Sequence, residues 1–182
     1  MKIGVISDTH GSLTAWRQVM ADFFEDVELI IHCGDVLYHG PRNPLPEGYA
    51  PAELAQAVNA VRKPIICAKG NCDAEVDQML LEIPLQAPFA QIMTPAWRIM
   101  VHHGHLWEES SLPSWTAPYN LIISGHTHLP GIIKKDGRFF LNPGSPALPK
   151  NQDKTPTVAL IEDTAIQLCN IRTGQILQQV TM

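Results

Sequence analysis

Two β-sheets packed face to face, with helices on the outside, are the α/β architecture this sequence predicts. Three observations predict it. Residues 2–68 alternate apolar, β-branched runs with helix-period segments in the order β-α-β-α-β. The rest of the chain carries eight further strand-like runs separated by turn signals. At 182 residues, 45% apolar and 17% charged, one domain spanning 1–182 is expected, with enough apolar residues for a substantial core.

Each element follows from its own residues. Lys2 to Ser7 reads as a buried strand, Ser12 to Phe24 as a helix, and Glu28 to His32 as a second strand. Ser12 is the expected N-cap, ahead of Trp16, Val19, Met20 and Phe23 at helical spacing. Residues 38–51 contain four prolines, which remove backbone donors and fix φ, so no regular structure is expected there. Pro51 suits the first turn of a helix running to about Val61, and Pro64 to Ala68 makes a third strand. Strands then follow at 89–94, 97–102, 120–124, 131–134, 138–141, 157–162, 165–171 and 175–181. Asp136-Gly137, Asp163-Thr164 and Thr173-Gly174 supply turns between them.

Composition narrows the function. The net charge is −5 and no Lys/Arg cluster appears, so sequence-independent nucleic-acid binding is not expected. The apolar run Ile3 to Ile6 is too short for a signal peptide, and no stretch approaches a membrane span. A cytoplasmic protein is the expectation. Cys33, Cys67, Cys72 and Cys169 lack C-x-x-C spacing and read as reduced thiols rather than a zinc or disulfide framework.

Five polar motifs occur in order, each directly after an apolar run: Asp8-Thr9-His10, Gly34-Asp35, Gly70-Asn71, His103-Gly104-His105 and Gly125-His126-Thr127-His128. Strands deliver their C-terminal loops to a common sheet edge, and Asp, Asn and His gathered there suit two divalent cations. If the backbone stays extended past the first strand, Asp8 and His10 point to the same side, as two ligands of one ion must. Asp35 can bridge two cations through its two oxygens. Asn71 offers a neutral amide oxygen, and His103, His126 and His128 offer ring nitrogens. Singly, these residues read as a helix cap, turns and surface histidines; the ordered set reads as a binuclear hydrolytic centre. Six of the eight histidines fall within or beside the motifs, His102 and His105 among them. His32 reads as structural, whereas His39 and His105 are candidates to face substrate.

The order D-x-H, G-D, G-N, H-G-H, G-H-x-H resembles the calcineurin-like metallophosphoesterase superfamily. Within it, the chain is similar to small bacterial YfcE-like phosphodiesterases. Residues 35–43 (Asp-Val-Leu-Tyr-His-Gly-Pro-Arg-Asn), 45–51 (Leu-Pro-Glu-Gly-Tyr-Ala-Pro), Gly70-Asn71-Cys72-Asp73, Glu75-Val76-Asp77-Gln78 and Asn142-Pro143-Gly144-Ser145 carry that likeness. The resemblance implies a four-layer α/β/β/α sandwich of two mixed sheets flanked by helices. It places Asp8, His10, Asp35 and His128 on one cation and Asp35, Asn71, His103 and His126 on the other, with Asp35 bridging. Within H-G-H, the family pattern puts the ligand before the glycine, hence His103. It also favours Mn²⁺, although this donor set suits Fe, Co, Ni or Zn as well. One departure stands out: many members carry His after Gly-Asn, and this chain carries Cys72.

The function so implied is hydrolysis of a small-molecule phosphodiester. Two cations about 3.5–4 Å apart would lower the pKa of a bridging water, whose hydroxide attacks in line. Asp35, Asn71 and His103 would form the catalytic core, with Arg42 clamping a phosphate oxygen. Trp107 or Trp115 is a candidate to stack on an aryl or base group, though packing roles suit them better. Two alternatives share the fold: a phosphomonoesterase, and a non-catalytic protein-interaction scaffold. A scaffold is free to lose ligands, and none is lost here. Assembly into a homo-oligomer is open.

Overall fold

The computed structural model describes residues 1–182. Its amino-terminal part is a parallel β-α-β-α-β unit made of β1 (Lys2–Ile6), α1 (Leu13–Asp22), β2 (Leu29–His32), α2 (Pro51–Asn59) and β3 (Ile65–Ala68). Ser12 caps α1, its hydroxyl accepting the Ala15 N–H at 3.2 Å, and Pro51 opens α2. Residues 38–50 form no helix or strand. Two short elements were not foreseen: α3 (Asp77–Leu80) and β4 (Leu85–Gln86), which extends the sheet beside β3.

The remaining strands divide between two sheets. The second sheet holds β5 (Ala90–Met93), β6 (Arg98–Val101), β7 (Leu121–Ile123), β8 (Gly131–Lys135) and β9 (Arg138–Asn142) in the order β5-β6-β7-β9-β8. The chain then returns to the first sheet as an antiparallel meander of β10 (Thr157–Glu162), β11 (Ala165–Asn170) and β12 (Ile176–Thr181). The seven-stranded order is β12-β11-β10-β1-β2-β3-β4, with β10 antiparallel to β1. Both sheets are therefore mixed.

Side-chain alternation sorts the core into layers. Ile3, Val5, Ile31 and Ala159 point from the first sheet towards Trp97, Ile99, Val101, Ile123, Phe139 and Leu141 of the second. Ile6 and Ile30 point the opposite way, onto Trp16, Val19, Leu54 and Val58 of the two helices. Gly4 lies on that helix-facing side because a Cβ there would sit 2.6 Å from the Phe24 ring. The sandwich is closed at one edge by Gln178 of β12. Its amide accepts the Ile132 N–H and donates to the Ile132 carbonyl, at 3.0 and 2.7 Å, standing in for a strand partner of β8.

The fourth layer is made of short 3-10 helices. The outer face of the second sheet is covered by two 3-10 turns, Glu109–Ser111 and Ser114–Thr116, packed through Trp107, Leu112 and Tyr119 onto Met100, Ile122 and Phe140. Pro113 and Pro118 interrupt any longer helix in this segment. No helix is long and apolar enough to cross a membrane.

Candidate metal centre

The five motifs occupy the C-terminal ends of β1, β2, β3, β6 and β7, and the loops gather at one edge of the sandwich. The ladder between the first two strands continues into their loops: Asp8 N–H bonds to the Gly34 carbonyl, His10 N–H to Asp35 and Gly11 N–H to Val36, at 3.0, 3.0 and 2.8 Å. Within this frame the backbone is not extended, contrary to the expectation for Asp8 and His10. Asp8, His10, Asp35, His126 and His128 have φ of 56°, 46°, 58°, 67° and 59°. This left-handed region costs a non-glycine residue about 1–2 kcal/mol. The cross-loop hydrogen bonds hold it there, and the side chains converge through the turn rather than through strand alternation.

The glycines make room for close approach. A Cβ on Gly70 would lie 2.1 Å from Asp35 Oδ1, and one on Gly125 2.0 Å from Ser7 Oγ and 2.7 Å from Asp8 Oδ2. Asp73 organises this packing: its carboxylate accepts the N–H groups of Asp35, Val36 and Gly70 at 2.8, 2.7 and 2.7 Å. It thereby ties the loops after β2 and β3 together. From the sequence, its place two residues after Asn71 makes it a candidate to orient the turn or a ligand, without showing which.

Asp8, His10, Asp35, His103 and His128 are all buried, with carboxylate and ring atoms in mutual reach. Asp8 Oδ1 lies 3.6 Å from His10 Nε2 and 3.3 Å from His128 Nε2, and Asp35 Oδ2 lies 3.8 Å from His10 Nε2 and 3.3 Å from His103 Nε2. The exposed Asn71 brings its Oδ1 to 3.1 Å from His103 Nε2. His126 is half-buried on the cleft wall, its ring centroid 5.1 Å from that of His103, and its N–H donates to Asp8 Oδ2.

The protonation pattern tests whether a cation fits. Nδ1 of His10, His103 and His128 faces the carbonyl of Tyr38, Cys33 and Leu148 respectively. A carbonyl only accepts, so each Nδ1 carries a proton, and in its neutral form each ring turns an Nε2 lone pair inward. His10 Nε2 and His128 Nε2 then face each other at 3.2 Å with no proton to share. Beside them, Asp8 Oδ1 is buried without a hydrogen-bond partner. Repelling lone pairs around an orphaned carboxylate oxygen are what a divalent cation relieves, and the carbonyls are the outer partners such ligands use. The donor set fits.

Electrostatics agree. Burial disfavours the Asp8 charge, but the close approach of the His10 and His128 rings and the charge on His103 hold its carboxyl far below the usual range. Burial likewise opposes charge on His103, yet Asp35 and Asp8 raise its pKa to about 9. The pair of carboxylates thus attracts positive charge even without a metal. Burial and Asp35 push the Cys72 thiol up to about 12, so it is neutral at physiological pH.

The centre opens into a cleft of ≈ 720 Å³ lined by Asp35, Asn71, Cys72, His126 and His128 and by Tyr38, Arg42 and Lys150. Arg42 lines the cleft. His39 does not line the cleft: its ring packs against Tyr38 and Tyr49, at centroid distances of 4.7 and 5.4 Å. His105 is exposed and lies outside the cleft lining, 5.4 Å from His103 between ring centroids. Trp107 and Trp115 pack on each other at 5.6 Å, away from the cleft. His32 is structural: Gly34 N–H donates to its Nδ1, and its Nε2–H donates to the Thr9 hydroxyl. Lys150 was not singled out by the sequence, because it sits in an irregular segment far from every motif.

This fold and loop set define a phosphoesterase class. A sequence profile of the calcineurin-like phosphoesterase superfamily domain matches residues 1–165, and the chain belongs to that family of metallophosphoesterases. Over its full length the chain is 38% identical to the phosphodiesterase YfcE of Escherichia coli K12, covering 98% of that protein. The solved structure of E. coli YfcE, described as a phosphoesterase, superposes with a TM-score of 0.92, covering 100% of this chain and 99% of that one. A probable metallophosphoesterase of Methanothermobacter thermautotrophicus is 30% identical over 96% of this chain and 94% of its own. The Cryptosporidium parvum Vacuolar Protein Sorting 29 structure shares the fold at a TM-score of 0.69 and 17% identity, covering 100% of this chain and 98% of its own.

Proposed function

We propose that this chain is a phosphodiesterase that cleaves small phosphodiesters with two divalent cations, Mn²⁺ being the favoured ion. Asp8, His10, Asp35 and His128 would hold one cation, and Asp35, Asn71, His103 and His126 the other. Bound there, the cations would supply Lewis acidity towards the phosphoryl oxygens and a water acidified to near neutral pH. One observation carries the reading: the facing Nε2 atoms of His10 and His128 beside the orphaned Asp8 Oδ1, in a chain similar throughout to a phosphodiesterase.

The protein's own groups orient the ester. Arg42 donates its guanidinium fork to a non-bridging phosphate oxygen. The turn held by Asp73 fixes Asp35 and presents Asn71 beside it. No side chain next to Asn71 is a competent acid at neutral pH, since the Cys72 proton is held to about 12. Departure of the alcohol then depends on its own stability as an anion. The scaffold alternative is disfavoured because every ligand position keeps its donor.

A metal-supplemented screen of phosphomonoesters, phosphodiesters and cyclic nucleotides tests the reading, with diester cleavage expected. Protein loaded with excess Mn²⁺ and desalted should retain about two ions per chain. Monoester-only activity, or no retained metal, would sink it.

A further inference from the structure

Resting on the diesterase reading, one charged group in the cleft is left without a task. Lys150 lines the cleft, and no carboxylate lies within 4.0 Å of its ammonium. Arg42, the other cation of the cleft, is likewise unpaired, in a protein whose net charge is −5. The Lys150 backbone is fixed against the centre. Its N–H donates to the His128 carbonyl at 3.2 Å, and Leu148, two residues earlier, holds the His128 ring. Ser145, at the start of the same segment, donates its hydroxyl to the Asp8 carbonyl at 2.8 Å and accepts the Leu148 N–H at 2.8 Å. The stem of this cation is therefore tied to two candidate ligands, unlike that of an ordinary surface lysine.

The cleft also restricts the rest of the substrate. At ≈ 720 Å³ it has the size of a small-molecule site rather than of a lone phosphate. Its lining includes the polar or charged Asn43, Asn71, Arg42 and Lys150, and Tyr38 is its only aromatic side chain other than the histidines. Trp107 and Trp115 are turned to each other elsewhere, and the Tyr38 ring is packed against His39. A polar, non-aromatic arm fits this surface, and an unpaired ammonium in its lining calls for an anion.

We infer that the natural substrate is a phosphodiester of a small polar alcohol carrying a second anionic group, a phosphate or carboxylate, which Lys150 receives. Lys150 then sets specificity, while the reacting phosphate is handled by the centre and Arg42.

The test uses p-nitrophenyl diesters whose second arm is propyl, or the same arm ending in phosphate, carboxylate or trimethylammonium. The Mn²⁺-loaded protein should cleave the anion-bearing esters with kcat/KM about tenfold or more above the propyl ester, the gain of one charge-assisted hydrogen bond. The trimethylammonium ester should be the poorest. Lys150→Met should bring the anionic-to-propyl ratio close to one, and Lys150→Arg should preserve it. Raising the salt concentration should lower the ratio in the parent protein only. Equal rates for all four arms, or a ratio unchanged in Lys150→Met, would overturn the assignment of Lys150 and leave the diesterase reading standing. Failure to cleave any of the four with metal saturating would overturn both.

Discussion

Asn71 is the neutral oxygen donor of the cluster, exposed on the loop after β3, with its Oδ1 3.1 Å from His103 Nε2. Because it buries nothing, Asn71→Ala should leave the thermal midpoint of the metal-free protein within a degree or two while weakening the second cation. Turnover should fall by about 100-fold or more, since even disturbing the outer partner of a metal ligand costs about 10–100-fold. Near-normal activity in the folded variant with metal saturating would contradict the assignment. Cys72 makes a second case. Without an acid beside the departing oxygen, nitrophenyl diesters should react much faster than alkyl diesters, because general acid catalysis is worth about 10²–10⁴-fold. Cys72→His should help the alkyl esters more. The readout is kcat/KM across diesters graded by leaving-group pKa; a flat dependence with chemistry rate-limiting would mean that another group, His105 first, already donates. At this scale the identities of the clustered side chains were legible in the sequence, because each follows an apolar run. The left-handed backbone at Asp8, His10 and Asp35 was not, since it is held by hydrogen bonds between loops distant in sequence.

At the scale of elements, the site depends on how the ends of β2 and β3 are joined. Asp73 accepts three backbone N–H groups from the two loops, all buried. Asp73→Ala leaves those donors unsatisfied, and each costs about 1–3 kcal/mol. The variant should unfold at least about 3 kcal/mol more easily in denaturant and bind Mn²⁺ more weakly, whereas Asp73→Asn, which keeps one acceptor oxygen, should lose less. Equal stability of Asp73→Ala and the parent would remove Asp73 from this role. Strands with four or more apolar or alternating residues were readable because their period is sustained. The single turn Asp77–Leu80 and the two-residue β4 are too short to show a period; β4 exists because β3 offers it a neighbour, and the turn is held by Asn59 of α2, whose amide donates to the Leu80 carbonyl. The 3-10 cover of the second sheet is legible only in hindsight, through Pro113 and Pro118.

For the whole molecule, the histidines set opposing limits on stability with pH. Burial lowers His32 to about 4, and burial with the charge on His103 lowers His102 to about 4. Both would titrate near 6.5 when unfolded, so below that the unfolded chain binds protons the native state refuses. Stability is therefore lost as pH falls from about 6.5 to 4, on the order of 3 kcal/mol for each ring. His103 runs the other way. Its folded pKa of about 9 lies above the unfolded value, so its contribution is complete below about 6.5 and vanishes as pH rises to 9. The metal-free protein should thus be most stable near pH 6.5. A divalent cation held by His103, as proposed, would reverse the alkaline limb, because it would need the His103 Nε2 lone pair and would displace that proton. The rise in Tm caused by saturating Mn²⁺, measured against EDTA-treated protein, should grow steadily between pH 6.5 and 9. A rise independent of pH across that window, or a metal-free protein that gains stability through it, would mean that His103 is not the proton the cation replaces.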